Sequence, residues 1–355
     1  MSYPSLYWDD VVEGQPLPGF DYELSLLRLV AYVRATGLYD FVHFDRDYAR
    51  TVGAQDAFIS TFHLAGLFSR LITDWAGPGT VLRQLTFSMA AQMMAGDMME
   101  FTGRTGEKSI SPDGEHWLEI ADINVATPSA PNAARASAIV AMPARDSSLP
   151  LVSRPRPVEA GAGPNPDMPD WARAMLGEVK PGKMQPHLPL SWQELHLWCE
   201  ALEDWNPLYW DADYAAQSPY AGLIGSPPSM FYGVGSSFEF GIGQGKPGAT
   251  VPEPVKRGLT GAELRAELRT LAARAGIPFA PPDCPDVVVT QARFDFYAPL
   301  RMGDTIRSEL RLKDCSAQRK TRLGEGYFLT IEDAHFNQRD ELVKTMTMSL
   351  FYYRP

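Results

Sequence analysis

The chain has 355 residues, a formal charge of −11, 45% hydrophobic and 21% charged residues. At roughly 150 residues per domain, that length suggests about two domains, each able to bury an ordinary core. An acidic balance without a Lys/Arg run argues against nucleic acid as the main partner, and no run of about 18 apolar residues is present to cross a membrane. Met1-Ser2-Tyr3-Pro4-Ser5 has neither a basic start nor an apolar stretch, so no signal peptide is expected. Cys199, Cys284 and Cys315 are odd in number and far apart, which fits a reduced, cytoplasmic protein better than a disulfide scaffold or a zinc site.

In chain order, Ser25 is a good helix N-cap, and Leu27, Val30, Ala31 and Val33 follow at helical spacing. An acidic, aromatic turn then leads to a short helix at Asp45-x-Asp47-Tyr48-Ala49. A long apolar helix is predicted over about 58–75, ended by Gly77-Pro78-Gly79, with strands over 81–103, 117–126 and 135–142. Prolines 150, 155, 157, 164, 166, 169 and 181 mark a connector over 146–182. Ser191-x-x-Glu194 has capping-box spacing and precedes Leu195, Trp198, Cys199 and Leu202. A Gly/Pro-rich stretch, 236–285, holds one predicted helix at 260–275 and reads as a lid, a partner surface or a tolerated insertion. Strands are predicted over 287–296, 304–312, 326–336 and 342–353.

These elements repeat. Ser25, Asp45, Asp47, Tyr48 and Ala49 recur as Ser191, Asp211, Asp213, Tyr214 and Ala215 at a constant offset of 166. Phe87-x3-Ala91-x4-Gly96-Asp97 recurs as Phe294-x3-Ala298-x4-Gly303-Asp304 at an offset of 207, so the second copy carries an insertion of about 41 residues. The division that follows is a first unit over 1–145, the connector, and a second unit over 183–355. Each unit runs helix, long helix, then antiparallel strands, an α+β order in which a sheet wraps one helix.

Asn206-Pro207-Leu208-Tyr209-Trp210-Asp211-x2-Tyr214-Ala215-Ala216, followed by Gly222-Leu223-Ile224-x-x-Pro227-Pro228, resembles the MaoC-like hydratase superfamily. Phe296-Tyr297-x-Pro299-Leu300-x-x-Gly303-Asp304 and Asn337-Gln338-x-x-Glu341-Leu342-Val343 resemble the same substrate-binding type of half. Trp8-Asp9-Asp10-Val11, His43-Phe44-Asp45 and 73–78 are similar to a half of the other type. The resemblance implies a double hot-dog fold that binds acyl thioesters, usually acyl-CoA, between its two units.

In that superfamily the Asp and His of Asp-x-Asn-Pro-x-His act as an acid/base pair on water added across, or lost from, a 2-enoyl thioester. Here the first copy reads Leu38-Tyr39-Asp40-Phe41-Val42-His43 and the second Asp204-Trp205-Asn206-Pro207-Leu208-Tyr209, so neither copy keeps both members. Three readings stay open. His43 acts with Asp40 as substitute carboxylate, or alone; the chemistry is instead thioester hydrolysis; or the protein only binds an acyl thioester or a partner subunit. Convergence of Asp40 and His43 on one water site separates these readings, and an Asp40 turned to solvent counts against the pair. Thr61, Phe62 and His63 are candidate site residues, because a backbone N–H at the start of the long helix would polarise the thioester carbonyl. By motif position Tyr39, Asp204, Asn206 and Tyr209 join them as substrate-binding candidates, with an architectural role the alternative for Asp204.

The other signals are weaker. Gly241-x-Gly243-x-Gly245 follows no buried strand and is not read as a dinucleotide fingerprint. Met89, Met93, Met94, Met98 and Met99 are placed on the first strand, as adaptable core or as a wall for a bulky acyl group. Arg319-Lys320-x-Arg322 and Lys256-Arg257 are candidates for CoA phosphates. The combined expectation is a cytoplasmic hydratase or dehydratase of 2-enoyl- or 3-hydroxyacyl-CoA (or of a carrier-protein thioester) with a bulky apolar acyl part. It needs no metal or redox cofactor and works as a monomer, a homodimer or part of a hetero-oligomer. The rival is a non-catalytic scaffold subunit or a hot-dog thioesterase.

Overall fold

A computed structural model describes residues 3–51, 53–146, 149–157, 163, 165–182, 189–231, 279–284 and 286–354. The predicted helix at 260–275, the glycines at 241–245, Lys256-Arg257 and nearly all of the 236–285 insertion lie outside them.

The first unit holds β1 (Phe20–Glu23), α1 (Leu26–Thr36), α2 (Arg46–Thr51), α3 (Thr61–Ala76), β2 (Val81–Met89), β3 (Met98–Ile110), β4 (His116–Thr127) and β5 (Ala130–Ala141). The connector carries α4 (Asp170–Arg173) and β6 (Lys180–Pro181). The second unit continues with α5 (Trp192–Leu202), α6 (Pro207–Trp210), α7 (Ala212–Gln217), β7 (Asp286–Phe296), β8 (Arg307–Cys315), β9 (Arg319–Thr321), β10 (Gly324–Phe336) and β11 (Leu342–Arg354).

All strands join one antiparallel sheet in the order β1-β3-β4-β5-β2-β7-β11-β10-β8-β6, with β9 on β10. Outward from the central β2–β7 pair, each side repeats the same sequence of strands. The register there is symmetric: Thr86 lies opposite Arg293, its mate in the repeat, and Phe87 and Phe294 stack at 6.3 Å. The helices α1 and α5 also meet through repeat mates, Tyr32 and Trp198, with ring centroids 5.7 Å apart. Two hot-dog units therefore share one continuous sheet about a pseudo-two-fold, which removes an exposed edge from each.

The helices form where their caps and apolar stripes dictate. Ser25 Oγ accepts the Arg28 N–H, and Gly37 ends α1 at φ 71°, a left-handed position that glycine takes without penalty. Ser191 and Glu194 close a capping box on α5. The long helix α3 lies in the first unit's sheet, and His63 through Ser69, Leu71, Ile72 and Ala76 are buried. Burying each large apolar side chain there contributes about 1.5–3 kcal/mol. Its predicted start at 58 moves to Thr61, because Phe58 and Ile59 are held in extended contact with Met94 and Met93.

Two expectations need correction. The stretch 81–103 is not one strand: β2 ends at Met89 and β3 begins at Met98, with a loop bearing Gly96 at φ 102° between them. The methionines therefore do not share a strand face. Met93 is buried in that loop, Met99 is buried opposite Tyr22, and Met98 is exposed. The connector is also more than a linker. Lys180 and Pro181 form the second unit's edge strand on β8, and Met168 and Ala172 enter its core beside Leu310 and Leu312.

Candidate active site

His43 closes a short 3-10 turn, Phe41–His43, that follows α1. Its Nδ1 lies 2.9 Å from the Phe58 carbonyl, which can only accept, so Nδ1 carries the proton and Nε2 of the neutral ring presents a lone pair. The Phe58 ring stands edge-on to the imidazole at 5.4 Å. Backbone pairing fixes that carbonyl, because Phe58 N–H donates to Val42 O and Ile59 N–H to Met93 O. The loop that interrupts the predicted first strand thus buttresses the segment that aims His43. Two residues later the chain enters α3, with Ser60 capping the His63 N–H. Thr61 and Phe62, both half-buried, occupy the first turn, where backbone N–H groups lack intrahelical acceptors and the helix dipole favours negative charge. His43 and the first turn of α3 are therefore joined through residues 58–60.

Asp40 does not join them. It is exposed, caps the 3-10 turn by accepting the Val42 N–H at 3.5 Å, and makes no ion pair with His43. Two positions of displacement turn the side chain outward, so the expected carboxylate partner is missing. Leu38, at the motif's Asp position, is core. Tyr39 is half-buried beside this turn, its N–H on the Gly37 carbonyl.

His63 is not an exposed acid/base. It is fully buried, stacks on Tyr32 at 4.2 Å and bonds the Tyr22 hydroxyl at 3.1 Å through Nε2. That hydroxyl donates onward to Ala201 O, so the His63 ring ties the first unit to the second. Burial, aided by nearby cationic groups such as Arg28, lowers its pKa to about 3 and keeps it neutral.

The second copy of the motif is structural in its contacts. Asn206 caps α6 through the Leu208 N–H at 3.1 Å, and Asp204 accepts the Asn206 N–H at 3.3 Å. Asp204 is fully buried, and its Oδ2 has no hydrogen-bond partner among the described residues. Burial chiefly, then the charge of Asp74, raises its carboxyl to about 7. Tyr209, in the place of His43, is buried, and its hydroxyl is pushed well above its ordinary value by burial and by Asp204. Residues 226–229 form a turn, the Ser229 N–H donating to Ser226 O. The basic residues Arg319, Lys320 and Arg322 sit on and beside β9, away from the His43 segment in sequence and on the opposite half of the sheet.

One group of ionisable residues escaped the motif reading. Asp333 and His335 of β10 and Lys344 of β11 are all buried. Asp333 and His335 continue the alternation begun by the inward Leu329 and Ile331, so the signal was a polar residue at an apolar position of a period-two strand. Among the described residues no cluster of three or more His, Cys, Asp or Glu is arranged to hold a metal ion. No described helix is long and apolar enough to cross a membrane.

The fold is a double hot-dog, as the motifs implied. Residues 185–346 match the family described as FAS1-like, dehydratase domain region. The chain is 30% identical over 185 residues to a Thermomonospora curvata protein named as an enoyl-CoA hydratase alpha subunit, covering 52% of this chain and 50% of the relative. It is 33% identical over 75 residues to the 3-oxo-4,17-pregnadiene-20-carboxyl-CoA hydratase beta subunit of Mycobacterium tuberculosis, covering 21% of this chain and 58% of the relative. The chain thus spans half the length of the first relative and 58% of the second. The whole chain aligns with 99% of a Chloroflexus aurantiacus protein described as a MaoC domain protein dehydratase, at a TM-score of 0.64 and 10% identity, a likeness of fold.

Proposed function

We propose that the chain is a hydratase or dehydratase subunit acting on a 2-enoyl- or 3-hydroxyacyl-CoA, with His43 as its single acid/base. The observation that carries this reading is the Nδ1–H contact to the Phe58 carbonyl, which leaves Nε2 free to act beside the start of α3. In hydration, Nε2 takes a proton from water as the oxygen attacks C3. Negative charge grows on the thioester oxygen, where the first-turn N–H of Thr61 stabilises it. The imidazolium then returns the proton to C2 from the same face, which closes the proton balance with one residue. Dehydration is the reverse, and neither direction calls for a cofactor. A bulky apolar acyl group is supported by the aromatic surroundings of His43, with Phe41 and Phe44 packed at 5.1 Å and Phe58 against the ring. The ring-bearing substrate named for the second relative points the same way.

A second reading has its own observation. No carboxylate pairs with His43 among the described residues, and the relatives are named as alpha and beta subunits. On this reading the chain binds the thioester and a partner subunit performs the chemistry. The test is loss of enoyl absorbance across a panel of 2-enoyl-CoA thioesters, for the full chain and for His43→Ala. Turnover that falls at least a hundredfold in the variant supports the first reading. Tight thioester binding with no turnover transfers the chemistry to a partner, whereas equal rates remove His43 from the chemistry.

A further inference from the structure

The strand registers place the two units in residue-by-residue correspondence. In the first unit Ala136 lies between Phe87 and Ile123, Ala134 lies opposite Val125, and Val125 lies opposite Phe101. In the second, Met346 lies between Phe294 and Asp333, Lys344 lies opposite His335, and His335 lies opposite Ser308. Phe101, Ile123, Val125 and Ala134 are thus replaced by Ser308, Asp333, His335 and Lys344 at equivalent, buried positions. The face concerned is the inner one: Phe101 packs on Phe68 of α3, and Lys344 reaches the turn at 227–229.

An apolar wall has become a set of ionisable side chains, although an interior lysine, aspartate and histidine are costly to bury. Their mutual contacts do not satisfy them. His335 Nε2 lies 3.2 Å from Asp333 Oδ2, yet among the described residues neither ring nitrogen has hydrogen-bond geometry to any partner. Asp333 Oδ1 and the Ser229 hydroxyl likewise have no partner among the described residues. Lys344 Nζ donates to the Pro227 and Ser229 carbonyls, which leaves its third proton. Donors and acceptors are thus left over in one buried place, flanked by Met346 and Leu310.

We propose that Asp333, His335, Lys344 and the Ser229 hydroxyl form a second ligand site, in the C-terminal unit, that takes a hydroxyl or carbonyl oxygen on the acyl part of a thioester. The thioester rests on the function proposed above; the oxygen rests on the residues themselves. Burial pulls the Lys344 ammonium down to about 7, so the cluster holds little fixed positive charge, which disfavours a further anion and suits a neutral polar group. A hydroxyl donates and accepts at once, matching the spare Oδ1 and the spare nitrogens, while the flanking side chains accept the hydrocarbon on either side.

The test gives the second unit the first unit's residues, Asp333→Ile, His335→Val and Lys344→Ala together, and separately makes His335→Gln. Both are built in the full chain with His43→Ala, so that bound thioesters are not turned over. Calorimetry compares 8-hydroxyoctanoyl-CoA with octanoyl-CoA, so that the oxygen under test is not the C3 oxygen handled by His43. The His43→Ala parent is expected to prefer the hydroxylated thioester about tenfold, the worth of one or two net hydrogen bonds. Both variants lose that preference, and the triple variant melts higher, because apolar residues replace an uncompensated polar cluster. A parent with no preference, or a variant that keeps it, overturns the proposal; should the triple variant fail to fold, His335→Gln decides alone. Failure of the thioester reading looks different: the parent then binds neither compound, and the wild-type chain shows no turnover that depends on His43.

Discussion

The first unit keeps the motif histidine, His43, with an apolar inner sheet face and a described helix α3 filling its groove. The second keeps the motif aspartate, Asp204, puts Tyr209 where the histidine stood, and has a polar inner face at the matching strand positions. The backbone symmetry survives in register after register while the buried side chains have diverged. Register is fixed by backbone bonds and by which face is buried, so it tolerates exchange of apolar for apolar residues. Exchange of apolar for ionisable residues is expensive, and it is concentrated in the second unit. On the function and second site proposed above, proton transfer falls to one half and polar recognition to the other.

The largest expected effect tests that division at its two equivalent positions. His43→Ala should lower 2-enoyl-CoA hydration by about 10²- to 10⁴-fold, the usual worth of a general acid/base. Tyr209→Phe should leave the rate near that of the wild type, since its hydroxyl sits buried beside Asp204 and not at the α3 start. Steady-state rates of both variants decide the matter, and a collapse in Tyr209→Phe would move the chemistry to the second unit.

Next in size is the exchange Asp204→Leu, which gives the second unit the residue found at Leu38. Burial holds the Asp204 carboxyl at about 7 in the folded protein, above the ordinary carboxylate value near 4. Between those values the folded state keeps a proton that the unfolded state has lost, so this group's contribution to stability falls as pH rises through that window. Above pH 7 the cost is complete. Asp204→Leu removes that dependence at the price of the Asn206 N–H bond, which matters equally at every pH. Melting temperatures at pH 4.5, 6 and 8 should therefore shift in the variant's favour by several degrees as pH rises. Parallel curves would mean that the carboxylate is compensated by a partner.

Much of this architecture was legible in the chain. The offsets of 166 and 207 reappear as the β2–β7 register and the Tyr32–Trp198 contact, and the Ser25 and Ser191 caps stand where spacing put them. Local chemistry specifies such features, so sequence is enough. The outward turn of Asp40 was not legible, because two residues of displacement in a loop reverse a side chain without changing composition. The break at 90–97 was hidden by an apolar run that reads as strand on both sides of it. Asp333, His335 and Lys344 were overlooked because each sits in a strand identified by its apolar neighbours, and only cross-strand pairing brings them together.

The contact between the units gives a smaller effect. At Gly66 of α3 an added Cβ would stand 2.6 Å from Leu202 Cδ1 and 2.9 Å from Trp198 Cζ2. Gly66→Ala gains helix propensity of up to about 1 kcal/mol, while overpacking costs about 1–3 kcal/mol, so a net loss is expected. The urea midpoint should fall with the slope unchanged. A rise would show that α5 can shift away from α3, and that the two units are less tightly tied than the His63–Tyr22–Ala201 chain suggests.

The smallest effect separates the Asp40 pairing read in the sequence from the cap seen in the structure. Asp40 and Asn206 hold equivalent places and do the same work, each accepting the N–H two residues on. The Asp40 contact is long and exposed at 3.5 Å, whereas Asn206 bonds at 3.1 Å in a buried setting. Asp40→Ala should therefore cost about 0.5 kcal/mol and Asn206→Ala about 1–2 kcal/mol, the low and high ends for a lost cap. Hydration by Asp40→Ala should stay within about twofold of wild type, against the 10²-fold or greater loss expected of a general acid/base. A hundredfold fall in turnover with the melting temperature unchanged would bring Asp40 back as the partner of His43, requiring the 3-10 turn to reorganise when substrate binds.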